Sequence, residues 1–119
     1  MRARAATAVA DPTRPNVSSP SCFFRRQWNG SWKVSPDART IYIDVSGTIY
    51  RLDLQAPYQV LRDPWATLIN SGSSNTICSA LDLRLKVSNQ AGIQQWPLVK
   101  HMTRLSPEEA AELPKELRP

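Results

Sequence analysis

Residues 39–54 read RTIYIDVSGTIYRLDL, and no other stretch restricts the fold so tightly. Thr40 to Val45 and Thr48 to Leu54 both alternate apolar and polar side chains, the period-two pattern of a half-buried strand. Ser46 and Gly47 stand between them, and glycine supplies the positive φ that a two-residue hairpin turn needs. With Val45 opposite Thr48, Ile43 faces Tyr50, Ile41 faces Leu52, and Leu54 extends the same face. Tyr42, Asp44, Ile49, Arg51 and Asp53 fall on the other, more polar face. A slip of one residue would turn every apolar side chain to water, so two strands agreeing on one register predict a fixed hairpin.

Around the hairpin the signals are shorter. Ten prolines and four glycines among 119 residues favour short, loop-punctuated elements over long helices. CFFRRQW predicts a short strand, and NGSWKVSPDAR predicts a turn, an extended piece and a second turn. QAPYQVLRDPW reads as loop, WATLIN as a strand or one helical turn, and SGSSN as a turn. In ALDLRLKV, Leu81, Leu83, Leu85 and Val87 share one face of an expected strand. IQQWPLVKHMTRL predicts a last strand with Pro97 at an edge or bulge. In SPEEAAELPKEL, Ser106 as N-cap, Pro107 at the first helical position and Glu109 three residues past the cap predict a short helix, stopped by Pro114. The expected fold is mainly β (a β-rich α+β chain): one small twisted antiparallel sheet or partly open barrel, with one short C-terminal helix. Residues 22–119 are expected to form a single domain, which at this length buries roughly two-thirds of its unfolded surface.

Residues 1–21 read as a disordered tail. MRAR resembles the n-region of a signal peptide and ATAVA before Asp11 resembles its cleavage site, without the apolar segment between them. The tail is therefore expected to be the remnant of a truncated leader followed by the Pro- and Ser-rich linker DPTRPNVSSPS. No window approaches the roughly 18 apolar residues of a membrane span. SPS before Cys22 is no lipidation box.

The net charge of +5 lies in the N-terminal third: six basic residues and Asp11 precede Val34, and the nine basic and nine acidic residues after it cancel. One reading of CFFRRQW, with its neighbouring basic residues, is a nucleic-acid contact; the plainer one is a solvated Arg pair beside a leader remnant. The two cysteines, Cys22 and Cys78, lie far apart in sequence. A zinc site would need more ligands at short spacing, and a cysteine nucleophile would need a base, for which His101 is the only histidine. In an exported chain a disulfide is the simplest reading; two buried free thiols, or an enzyme using Cys78 and His101, are the alternatives. No phosphate loop, dinucleotide glycine motif, zinc-protease motif or nucleophile elbow is present. Asp44 and Asp53 read as solvated strand carboxylates rather than a glycosidase pair. Trp28, Trp32, Trp65 and Trp96 read as core and edge plugs, with a carbohydrate or peptide groove as the sharper alternative.

Cys22 ahead of the first strand, the RTIYIDVSGTIYRLDL hairpin, ICSALDLRLKV and the closing LSPEE together resemble a family of small exported bacterial proteins known only as a domain of unknown function. The resemblance covers residues 22 to 110. Members of that family often carry two further cysteines, at positions where this chain has Tyr58 and Trp96. The resemblance implies that a contact between these two aromatics replaces a second bridge, and that the protein is periplasmic or secreted. It implies no activity and no cofactor. The resulting expectation is a non-catalytic binding or envelope-associated module. It would use no metal and recognise a protein or envelope component through Arg25, Arg26, Trp28 and Trp32. The alternatives are a nucleic-acid-binding protein acting through its basic N-terminal third, or the Cys78/His101 enzyme.

Overall fold

The computed structural model describes residues 22–119; the expected leader remnant and linker lie outside them. Nine strands and one α-helix follow in order: β1 (Phe23–Phe24), β2 (Trp28–Val34), β3 (Thr40–Val45), β4 (Thr48–Leu54), β5 (Thr67–Asn70), β6 (Thr76–Ile77), β7 (Leu85–Ser88), β8 (Gln94–Gln95), β9 (Val99–Arg104) and α1 (Pro107–Ala111). The chain is mainly β with one short helix near its C-terminus, as expected. The strands form several antiparallel sheets rather than a single one. They divide into antiparallel sheets of four (β2-β3-β4-β9), three (β5-β7-β8) and two strands (β1-β6), none closed.

The hairpin adopts the expected register, with Val45 opposite Thr48, Ile43 opposite Tyr50 and Ile41 opposite Leu52. Ser46 and Gly47 both take positive φ, 52° and 92°, as a two-residue hairpin turn requires. The Asp44 carboxylate accepts the Gly47 N–H at 2.7 Å and closes the turn. Ile41, Ile43, Val45, Tyr50, Leu52 and Leu54 are buried in one cluster with Phe23, Val60, Leu61, Leu68, Ile77, Leu83, Leu85, Val87 and Val99. That cluster draws on all three sheets, so burial joins them, at about 1.5–3 kcal/mol for each large apolar side chain removed from water. Tyr42, assigned to the polar face, is also buried. Its cross-strand neighbours are Lys33 and Arg51, whose aliphatic stems can shield a ring while their charges stay in water.

Elsewhere the chain departs from its pattern. CFFRRQW is not one strand: β1 ends after two residues and Arg25–Gln27 form a 3-10 turn. The expected loop after the hairpin contains a 3-10 turn, Gln59–Arg62, that sends Val60 and Leu61 into the core. The strand expected across ALDLRLKV begins only at Leu85. The Ser79 hydroxyl accepts the Leu81 N–H, and the Asp82 carboxylate accepts the N–H groups of Cys78 and Ser79. These bonds wind Ala80–Asp82 into a 3-10 turn, which leaves Leu81 84% exposed. The last predicted strand splits at Trp96-Pro97-Leu98 into β8 on the three-stranded sheet and β9 on the four-stranded one. Proline has no N–H to continue a ladder. The helix forms as expected: Ser106 Oγ accepts the Glu109 N–H at 3.1 Å, and the Glu109 carboxylate accepts the Ser106 N–H at 2.8 Å.

Candidate functional site at the bridged strands

Cys22 and Cys78 are joined, with the sulfurs 2.17 Å apart and the two residues 56 positions apart along the chain. Both are exposed. The bridge continues the β1–β6 ladder, in which Phe23 faces Ile77 and Phe24 faces Thr76. In the chain-entropy description, closing a loop of this length stabilises the fold by about 4 kcal/mol. Phe23 turns inward and packs on Tyr50 with ring centroids 4.8 Å apart. Phe24 turns outward and is 50% exposed. Period two thus sends consecutive phenylalanines to opposite faces.

The four residues expected to form one basic, aromatic surface are placed in three different ways. Arg25 is tied down: its N–H donates to the Asn75 carbonyl at 2.9 Å, and its guanidinium donates to the Asn70 carbonyl at 2.7 Å. Trp28 and Trp32 face the core. They pair with Val45 and Ile43 across β2–β3, and both pack on the buried cluster. Between them β2 carries extra residues relative to β3, and Gly30 takes a φ of 92° there. The Trp28 indole N–H is satisfied by the Ser31 carbonyl at 2.8 Å. Arg26 alone projects freely, its guanidinium 5.3 Å from the centre of the Phe24 ring. The geometry therefore brings Arg25 and Arg26 together with Phe24 and Asn75 around an open cleft, and places both tryptophans behind it as packing. Phe24 was not among the expected residues; the alternation of CFF ahead of the Arg pair was the signal for it.

The remaining candidates are dispersed. With its sulfur in the bridge, Cys78 has no thiolate to serve as a nucleophile. His101 is exposed on β9, opposite Asp53. Asp53 accepts the Arg51 Nε–H at 2.9 Å, and Asp44 caps the hairpin turn. Among the described residues no three His, Cys, Asp or Glu side chains converge as a metal site would require. Tyr58 and Trp96 do not stack. The Tyr58 hydroxyl accepts the Leu98 N–H at 3.2 Å, while Trp96 is 60% exposed. Trp65 is 68% exposed and its backbone N–H is held by the Asp63 carboxylate, so neither of these tryptophans plugs the core. No helix among the described residues is long and apolar enough to cross a membrane. A disulfide together with that observation is compatible with an extracellular or periplasmic protein.

Comparison with known proteins gives no match to a family, to a curated protein or to a solved structure.

Proposed function

We propose that this is an exported, non-catalytic contact module that recognises an acidic segment of a protein or envelope component. One observation carries the reading: an exposed aromatic ring with a guanidinium laid over it, held out at the surface by a disulfide-closed ladder. Arg26 makes no ion pair among the described residues, so its charge is available to a partner. An Arg on an aromatic face keeps its donors free at the rim while the ring fixes its position. Arg25 adds a second positive charge beside it. Export is supported by the bridge, since disulfides persist in oxidising compartments.

The test is a fluorescence titration of the full chain with poly-L-glutamate. Saturable binding is expected at low salt, weakening as salt screens it. Arg26→Ala or Phe24→Ala should weaken it at least several-fold, and Lys86→Ala, on the three-stranded sheet, should not. Absence of binding at low salt, or equal loss from Lys86→Ala, would overturn the assignment. Tighter binding to a single-stranded oligonucleotide, with a steep salt slope, would favour the nucleic-acid reading instead. Cell fractionation of the natural host tests export.

A further inference from the structure

We infer that the Cys22–Cys78 bridge is a redox switch, opened by a dithiol reductant without unfolding the protein, and that its state regulates the Phe24–Arg26 contact surface. This inference rests on the contact reading above for its second half only. Both cysteines are exposed, so a thiolate can reach either sulfur. The chain on each side of the bridge is also held by bonds that do not depend on it. On one side Phe23 is buried against Tyr50, and Arg25 is bonded to the Asn70 and Asn75 carbonyls. On the other, Ile77 is fully buried, and the Asp82 carboxylate accepts the Cys78 and Ser79 N–H groups at 2.8 and 3.2 Å. The two larger sheets have their own ladders and share the buried cluster. Opening the bridge therefore removes a tether at the margin and leaves the body folded.

The exchange balances as an ordinary dithiol reduction. One thiolate of the reductant attacks one cysteine sulfur, the Cys22–Cys78 bond breaks, and the other cysteine leaves as a thiolate. The second thiol of the reductant then attacks the mixed disulfide and releases the remaining cysteine. The reductant ends as its cyclic disulfide, and its two protons end on Cys22 and Cys78. What the reduced protein loses is the fixed placement of β1. Without the tether, the two ladder pairs, the buried Phe23 ring and the Arg25 bonds still hold the segment from Cys22 to Gln27 to the body, but its end at Cys22 and the outward Phe24 and Arg26 side chains open locally more often. Phe24 and Arg26 then occupy their binding arrangement for only part of the time, and apparent affinity falls in proportion to that fraction.

The test treats the full chain with dithiothreitol in the absence of denaturant. Alkylation followed by mass measurement should find two thiols, on Cys22 and Cys78, while far-ultraviolet circular dichroism stays unchanged. Poly-L-glutamate binding should weaken about fivefold to tenfold on reduction and recover on reoxidation. The double variant Cys22→Ser, Cys78→Ser should bind like the reduced protein and ignore dithiothreitol. Thiols that appear only together with loss of the circular dichroism signal would overturn the inference, and so would equal binding by oxidised and reduced protein. If the oxidised protein fails to bind poly-L-glutamate at all, the contact reading falls. Native-state thiol release, read by alkylation, still decides whether the bridge opens in the folded protein.

Discussion

The β3–β4 hairpin and the β1–β6 ladder deliver side chains to the same core by opposite means. The hairpin joins strands of six and seven residues through two turn residues. Closing so short a loop costs little entropy, and the alternating pattern fixes its register unaided. The β1–β6 ladder joins two residues to two across nearly half of the chain, and it ends in a covalent bond. One region is specified locally and stabilised by burial. The other is specified at long range and stabilised by restricting the unfolded chain. The candidate contact surface belongs to the second region.

If that division is right, the largest stability effect comes from the hairpin and is the same whether the bridge is open or closed. Leu52 is fully buried on β4. Leu52→Ala should cost up to about 5 kcal/mol in a urea melt, in oxidised and reduced protein alike. A much smaller cost in the oxidised form would mean that the bridge, rather than the hairpin, anchors the core.

The segment that follows β6 gives a sharper contrast. Leu81 and Leu83 are two residues apart, yet Leu81 is exposed and Leu83 buried. Leu83→Ala should cost about 2–3 kcal/mol, and Leu81→Ala should stay within about 0.5 kcal/mol. Equal costs would restore the continuous strand that the sequence pattern predicts.

A smaller effect tests the contact between the regions. Burial of Tyr50 pushes its phenol above the ordinary tyrosine value of 10.0, against a lowering influence from Arg104. In the unfolded chain that phenol ionises near its ordinary value, while the folded chain keeps the proton. The stabilisation from the neutral ring is therefore complete below pH 10 and is lost as pH rises through the folded value. The gap in stability between wild type and Tyr50→Phe should stay constant from pH 7 to pH 9 and then shift in favour of the variant, as followed by urea melts. A gap that does not change up to pH 11 would contradict the buried placement beside Phe23.

The same division explains what could be read from the sequence. The hairpin register and the capping box at Ser106–Glu109 were legible because their partners lie within a few residues. The strand through Leu81 was misread because Asp82 bonds the backbone of Cys78 and Ser79, turning an alternating run into a 3-10 turn. The division into three sheets was not legible. The β4–β9 and β1–β6 pairings join distant segments, and Pro97 switches the chain between sheets without changing its apolar pattern. At the candidate site, the Cys22–Cys78 pairing was readable. The tying down of Arg25 and the placement of Trp28 and Trp32 behind the Arg pair were not, because they depend on carbonyls at Asn70 and Asn75 and on extra residues in β2.

The central claim is most directly tested by peptide mapping of the native protein, digested without reductant after free thiols are blocked. The account predicts one linked pair of peptides, containing Cys22 and Cys78, that separates on reduction. Recovery of both peptides in blocked, unlinked form from protein taken from its natural compartment would contradict it.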